Sequence, residues 1–327
     1  MSKVIVNSIT INQNFILAIA TITILTACQT VPNTTSSNSV KPVIANPLTA
    51  NMLDIDRQGH IAYIEEQGIG AAKISTLYSI RPDGSDRQLI EQLTGYLYSP
   101  AWSADGQLLA YSKQAPRQSP KIYIYDRSNQ THNLIVNSNG SNLSAAFSPD
   151  GQKLFYSSTV GGNADIYELN LADGNSKQLT TLSSTEVQPS YAADGRSFVY
   201  VSDKVRVGRP RLYRYDFASA TATPIATNGY AASPQLGLDG QLMGYLNGRQ
   251  AAVMTLATGQ VINLAETGLD EPARLSPSGQ YAVYPTRQSQ VGGQMGGSLV
   301  IRSLTGSNSY GISSKTDGVV RSPVWGK

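Results

Sequence analysis

Residues 99–113 read S-P-A-W-S-A-D-G-Q-L-L-A-Y-S-K, and this stretch decides the fold. Asp105-Gly106 stands between two runs that suit β-strands. An Asp-Gly pair in that position is a strong hairpin signal, because a tight primed turn needs positive φ at its centre. Trp102 lies three residues before Asp105, and Tyr111 lies five residues after Gly106. The stretch therefore predicts a β-hairpin with two marker residues at fixed distances from its turn.

The same pattern recurs four more times along the chain, at intervals of 39–45 residues. The turn pairs are Asp150-Gly151, Asp194-Gly195, Asp239-Gly240 and Ser278-Gly279. The residues three positions before them are Phe147, Tyr191, Leu236 and Leu275, and the tyrosines that follow are Tyr156, Tyr200, Tyr245 and Tyr284. A period near 45 made of short strands is typical of propeller blades, whereas a β-sandwich has no reason to keep such a register. The sequence therefore predicts an all-β propeller of four-stranded blades.

The two ends of the repeat region complement each other. Ile61–Glu65 resembles the second strand of a blade, with Tyr63 as its marker, but no copy of the first strand precedes it. Ser322–Trp325 repeats the S-P-x-W of residues 99–102 and has no further strands after it. Pairing the C-terminal strand with the N-terminal three would close the ring and leave no open sheet edge. This count predicts six blades.

The first 50 residues read as an export signal and a tether. Phe15–Leu25 is an apolar run too short to span a bilayer but typical of a signal peptide. It ends in L-T-A-C, which resembles the bacterial lipobox, and Cys28 is the only cysteine in the chain. We predict a signal peptide over 1–27, a lipidated Cys28 with a flexible tether over 28–50, and the propeller over 51–327. A secreted protein with an unmodified cysteine, or an uncleaved anchor, is the alternative.

The residue after Cys28 bears on the destination of the protein. Among lipoproteins, aspartate at that position is the usual signal for retention in the inner membrane, and this chain has Gln29 there. The resemblance to lipoproteins therefore implies the periplasmic face of the outer membrane, with several acyl chains giving a stable anchor.

Composition and charge argue against two classes of function. The formal net charge is +3, and the only dense basic cluster, Lys204–Arg214, is interpreted as a solvated loop and strand edge, so nucleic acid is not a predicted partner. The chain has two histidines, His60 and His132, which the repeat places on different blades. We therefore predict no catalytic residues, no metal site, no cofactor and no enzymatic activity.

The repeat S-P-x-W/F-S-x-D-G-x-x-L-x-Y resembles the PD40 repeat, and its order along the chain resembles TolB-type propellers. Phe147–Gly151, Gly208-Arg209-Pro210, Leu269-Asp270-Glu271 and Asp317-Gly318-Val319 carry this resemblance, which covers about residues 55–326. It implies binding of a lipoprotein of the Pal type, or of a peptide, at the channel. Members of that family carry an α/β domain before the propeller, which is not seen here, so a part in a complete Tol–Pal system is not implied.

The channel mouth is the predicted binding site, because the chain passes it where each first strand begins. Counting four and five residues back from the markers gives a ring of mixed aromatic, apolar and charged groups, which suits a peptide segment or a protein knob. The ring contains Leu97, Tyr98, Asn142, Leu143, Glu186, Val187, Ala231, Ala232, Asp270, Glu271, Val320 and Arg321. The alternatives are an outer-membrane assembly scaffold of the BamB type, a carbohydrate-binding or carbohydrate-degrading PD40 protein, or a ring whose residues only end strands.

Overall fold

The computed structural model describes residues 51–289, 295–316 and 318–327. Cys28, the predicted signal peptide and the predicted tether lie outside the described residues, as does Asp317. The described chain forms six four-stranded antiparallel sheets, with one short helix at Asp54–Arg57 and a 3-10 turn at Gly70–Ala72. Among the residues described, no helix is long and apolar enough to cross a bilayer. The predicted all-β, six-bladed propeller is confirmed.

The strands follow one another blade by blade. Blade 1 contains β1 (His60–Gln67), β2 (Ile74–Ile80), β3 (Gln88–Thr94) and the closing strand β24 (Val319–Gly326). Blade 2 contains β4 (Tyr96–Trp102), β5 (Leu108–Gln114), β6 (Lys121–Asp126) and β7 (Thr131–Val136). Blade 3 contains β8 (Asn142–Phe147), β9 (Lys153–Ser158), β10 (Asp165–Asn170) and β11 (Ser176–Gln178).

The second half of the ring repeats this arrangement. Blade 4 contains β12 (Glu186–Tyr191), β13 (Ser197–Ser202), β14 (Arg211–Asp216) and β15 (Thr221–Pro224). Blade 5 contains β16 (Ala231–Leu236), β17 (Leu242–Asn247), β18 (Gln250–Thr255) and β19 (Val261–Glu266). Blade 6 contains β20 (Arg274–Leu275), β21 (Tyr281–Ser289), β22 (Met295–Ser303) and β23 (Ser309–Ser313). The first strands β24, β4, β8, β12, β16 and β20 each contact the next around the ring, so they are the inner strands.

The core lies between neighbouring blades. One cluster joins Ala110 and Ile122 of blade 2 to Phe147, Leu154 and Tyr156 of blade 3, and a second joins blades 1 and 6. The marker tyrosines of all six blades are buried; they are Tyr63, Tyr111, Tyr156, Tyr200, Tyr245 and Tyr284. Burying each large side chain stabilises the ring by roughly 1.5–3 kcal/mol, which explains why the repeat keeps this position.

The hairpin turns differ from the primed turns expected from Asp-Gly. At Asp105-Gly106 only the glycine has positive φ, at 73°. The Gly106 N–H donates to Ser103 O at 2.9 Å, and Asp105 Oδ1 accepts from the Gln107 N–H at 3.0 Å. The carboxylate thus caps a four-residue loop of type I character. The hairpin was predicted correctly, but its turn type was wrong.

The ring is closed by the chain ends, as predicted. β24 pairs antiparallel with β1, and Gly326 lies opposite His60. Trp325 is only 3% exposed and packs near Tyr281 of blade 6, with ring centroids 6.3 Å apart. Residue 326 has to be glycine in this packing, since a Cβ atom there would collide with the Trp102 ring.

Candidate partner-binding face

The inner strands begin at the same end of the ring, where they meet the loop between the second and third strands of the preceding blade. The Asn142 N–H donates to Pro120 O at 3.0 Å, and the Glu186 N–H donates to Ala164 O at 2.8 Å. Each acceptor residue directly precedes a third strand. We call this end of the ring the mouth face; it consists of the starts of the inner strands and these neighbouring loops.

The twelve residues predicted to bind a partner divide into two groups. Seven are buried among the blades: Leu97, Asn142, Glu186, Ala231, Ala232, Glu271 and Val320. Five are partly exposed at the mouth face: Tyr98, Leu143, Val187, Asp270 and Arg321. In five of the six pairs one residue is buried and its neighbour is partly exposed, because neighbouring side chains of a strand point in opposite directions. In blade 5 both Ala231 and Ala232 are buried. A direct contact with a partner therefore remains a prediction that concerns the five partly exposed residues.

A bulge follows the mouth residues in five of the six inner strands. A non-glycine residue there has φ between 47° and 57°, and the strand pairing shifts by one residue; the positions are Ser99, Ser144, Gln188, Ser233 and Ser322. The bulge interrupts the ladder, so a proline can follow it, as Pro100 does. Blade 6 has Pro272 at the bulge position, and a proline cannot adopt positive φ. Its inner strand β20 is accordingly short, and Asp270 takes the positive φ of 52° instead.

Side chains at the bulges connect neighbouring blades. Gln188 Oε1 accepts a hydrogen bond from the Ser233 N–H at 2.8 Å, and Arg274 Nη1 donates to Ser233 O at 2.7 Å. These bonds link the inner strands of blades 4, 5 and 6. The starts of these three inner strands are thereby held in one arrangement.

Arg321 links the closing strand to two carboxylates. Its Nε lies 3.0 Å from Glu66 Oε2, and its Nη1 lies 3.5 Å from Glu271 Oε1. The Ser322 N–H also donates to Glu271 Oε2 at 3.2 Å, and Lys73 Nζ lies 3.0 Å from Glu66 Oε2. Burial raises the pKa of Glu271, and the positive charges of Arg321 and Arg274 oppose that rise. Glu271 and Arg321 therefore bind each other and fasten β24 to blade 6.

An aromatic pair borders this charge cluster on blade 2. The rings of Tyr96 and Tyr98 are nearly parallel, with centroids 5.8 Å apart, and Lys73 Nζ lies 4.7 Å from the Tyr96 ring centroid. The Tyr98 hydroxyl donates to Gln114 Oε1 at 2.7 Å. Burial raises the pKa of Tyr98, and Tyr96 and Glu66 raise it further, so the phenol stays neutral. Tyr96 was not predicted from the sequence, although its alternation with Tyr98 placed both side chains on one face.

Two acids lie close together between blades 3 and 4. Glu186 Oε1 accepts a hydrogen bond from Ser202 Oγ at 2.8 Å, whereas Glu186 Oε2 is buried and has no hydrogen-bond partner within the described part of the chain. Asp165 accepts from Thr180 Oγ1 at 3.1 Å. Burial raises the pKa of Asp165 to about 6, and the carboxylate of Glu186 adds to the rise. At neutral pH this arrangement destabilises the fold.

We expect Asp165→Asn to stabilise the propeller at pH 7.5. The pKa of Asp165 is about 6 in the folded protein against an ordinary value of 3.8, so stability falls as the pH rises through that interval. Asparagine carries no charge there and can still accept from Thr180. Urea unfolding should show a gain of roughly 1–3 kcal/mol at pH 7.5 and little gain at pH 4. Asp173→Asn, at an exposed turn, is the matched control; equal gains in both variants would contradict the expectation.

Both histidines belong to the scaffold. His60 Nδ1 lies 3.2 Å from Arg127 Nη2; burial lowers the pKa of His60, and the Arg127 charge lowers it further. His132 Nδ1 lies 2.9 Å from the Tyr111 hydroxyl, on the outer strand of blade 2. Residues 51–289, 295–316 and 318–327 contain no group of three or more His, Cys, Asp or Glu side chains placed to hold a metal ion.

Comparison with known proteins gives a consistent result. The family model described as the TolB beta propeller domain (PD40) matches residues 57–327. The Tol-Pal system protein TolB of Francisella tularensis subsp. mediasiatica (strain FSC147) is 28% identical over 260 residues, which are 74% of this chain and 57% of that protein. Its counterpart from subsp. holarctica (strain OSU18) is 27% identical over 285 residues, 81% of this chain and 63% of that protein.

A solved structure shows the same similarity. The crystal structure of TolB from Acinetobacter baumannii has a TM-score of 0.71 and 31% identity, and the match covers 83% of this chain and 67% of that one. The chain spans 57–63% of the length of the two Francisella relatives. Because the family model covers all six blades, the chain belongs to the TolB β-propeller domain family.

Proposed function

We propose that the chain is a non-enzymatic, lipid-anchored periplasmic propeller that binds a protein or peptide partner at the mouth face, in a Tol–Pal-related process of the cell envelope. One observation carries the proposal: a member of the TolB propeller family holds Tyr98, Leu143 and Val187 partly exposed in a pre-formed ring. A Pal-like lipoprotein is the partner class we propose, because the relatives are named as Tol-Pal system proteins.

The chemistry of the mouth face suggests which partner groups it accepts. Leu143 and Val187 begin neighbouring inner strands and offer apolar contacts. The charge of Arg321 is already matched by Glu66 and Glu271. Asp270 takes part in no ion pair among the described residues and is partly exposed. A segment with apolar side chains and a basic group near Asp270 would therefore fit best.

The helix at Asp54–Arg57 lies at the end of the ring opposite to the mouth face. Asp56 is buried and accepts a hydrogen bond from the Ser278 N–H at 2.9 Å, at the hairpin turn between β20 and β21. That turn lies at the end of the ring opposite to the mouth face. A tether that joins the propeller at residue 51 does not have to cross the proposed binding site.

Photo-cross-linking in cells tests the binding site. A photoreactive phenylalanine at Leu143 or at Val187 should form an adduct with a Pal-like lipoprotein. The same group at Gln152, which is exposed at a hairpin turn on the opposite face, is the matched control. Adducts that form equally well from Gln152, or none from the mouth positions, would refute the site. Radioactive palmitate should label the parent protein and leave Cys28→Ala unlabelled, since Cys28 is the only cysteine of the chain. A parent that takes up no label would refute the anchor while the binding site stands.

A further inference from the structure

Exposed apolar side chains gather at the rim of the mouth face on blades 3 and 4. In the loop between β13 and β14, Val205 is 72% exposed and Val207 is 87% exposed. Val160, in the corresponding loop of blade 3, and Leu182, in the connection between β11 and β12, are exposed as well. We call these four residues the rim patch. Exposed apolar surface that is concentrated in one region of a protein is typical of contact sites.

Hydrogen bonds hold the segments of the rim patch together. Asp203 is buried and accepts from the Thr185 N–H and from the Gly208 N–H, both at 3.0 Å. Asn163 Nδ2 donates to Leu182 O at 2.6 Å, which ties the loop of blade 3 to the segment before β12. These hydrogen bonds therefore fix the conformation of the loop, and in this conformation Val205 and Val207 are exposed to solvent.

The rim patch is surrounded by cations. Lys204, Arg206 and Arg209 alternate with the two valines, and Arg211 follows on the same edge. All four are exposed, and none takes part in an ion pair within the described residues. Lys204 Nζ lies 3.9 Å from the Tyr213 ring centroid, and this contact orients the lysine side chain. The rim patch and its neighbours thus present exposed apolar side chains and positive charges on the same surface.

We propose that the rim patch is a second membrane contact, in which Val205 and Val207 enter the interfacial layer of a bilayer and the neighbouring cations bind anionic headgroups. Apolar side chains with Lys and Arg beside them are the pattern of interfacial binding. Val205 and Val207 are 72% and 87% exposed and are flanked by exposed cations, which complements the apolar and anionic layers of a bilayer surface. The inference does not depend on the partner proposed for the mouth face.

The predicted tether permits this contact. It has 22 residues between Cys28 and Asn51, and an extended chain of that length reaches about 70 Å. Such a reach lets the propeller place its rim on a bilayer even though the tether joins the opposite face. The mouth face would then lie beside the headgroups, where a lipid-anchored partner would be within reach.

Vesicle sedimentation with the propeller, residues 51–327, tests the inference; the closed ring with its own core justifies this fragment. We expect it to sediment with vesicles of phosphatidylcholine and phosphatidylglycerol at 7:3, and at least tenfold more weakly with phosphatidylcholine alone. Val205→Ser with Val207→Ser, and separately Arg206→Glu with Arg209→Glu, should each weaken binding at least fivefold. Leu134→Ser with Ile262→Ser, and separately Lys177→Glu with Arg196→Glu, change the same number of exposed apolar groups and charges away from the rim patch. These matched controls should bind as the parent does.

Four outcomes would overturn the inference. They are no sedimentation of the parent with anionic vesicles, equal binding to both vesicle types, rim variants that bind like the controls, and full displacement by inorganic phosphate at constant ionic strength. The last result would indicate a free-anion site. Thermal unfolding of each variant by circular dichroism confirms that a loss of binding does not arise from a loss of fold.

Discussion

A propeller that lacks Ser322–Lys327 is expected to be largely unfolded at 37 °C. The deletion removes most of the strand that pairs with β1, and it takes Val324 and Trp325 out of the core. Losing a buried tryptophan side chain alone costs about 3–5 kcal/mol, against about 5–15 kcal/mol for the whole stability of a typical domain. The deletion also leaves the unpaired backbone groups of β1 at an open sheet edge.

Thermal unfolding followed by circular dichroism measures this effect. Trp325→Ala removes one buried side chain and leaves the strand in place. We expect its melting temperature to lie between those of the full propeller and the truncated one. Lys327→Ala is the matched control, since its side chain is exposed at the chain end. If the truncated protein melts at the temperature of the full propeller, closure by β24 does not hold the ring together.

Arg321→Met is expected to destabilise the propeller by about 3–5 kcal/mol, because it leaves the carboxylate of Glu271 buried without its main partner. Glu271→Gln removes the buried charge and should cost much less. Combining the two substitutions should restore most of the stability lost in Arg321→Met. A Glu271→Gln variant that is as unstable as Arg321→Met would contradict this account.

The loss in Arg321→Met should also depend on pH. Burial already raises the pKa of Glu271 above 4.5, and removing the Arg321 charge raises it further. A group whose pKa is higher in the folded state loses stabilisation as the pH rises through that value. Urea unfolding should therefore show a larger loss at pH 8 than at pH 5. Equal losses at the two pH values would argue that the arginine contributes packing alone.

The ion pair between Arg321 and Glu271 affects the interpretation of binding experiments at the mouth face. A Glu271→Ala variant that fails to recover a partner would report on ring closure, because Glu271 is buried against β24. Substitutions at Leu143 and Asp270 avoid this difficulty, since both side chains are partly exposed. Asparagine suits position 270 in particular, because it tolerates the positive φ found there.

The repeat made the fold predictable, since each blade carries its own turn and its own buried tyrosine at a fixed spacing. Counting along that repeat located the mouth face. Counting along the repeat did not show that the side chains of Glu186 and Val320 are buried, because a residue's position in the repeat does not give the direction of its side chain. Glu66 was missed, since it reaches Arg321 only after β1 and β24 pair. Lys73 was missed with it, because Lys73 joins this cluster through Glu66. The irregular blade 6 had a visible signal, Pro272, whose fixed φ excludes the bulge.

Ring closure by the two chain ends has a consequence for the order of folding. Neighbouring strands such as β4 and β5 are joined by a short hairpin, so they can pair early in folding. His60 and Gly326 pair across 266 positions of the chain, and closing a flexible loop of that length costs about 5 kcal/mol in chain entropy. Blades formed earlier shorten this search by drawing the ends together. We therefore expect the β1–β24 pairing to form last and to limit the rate at which the native state appears.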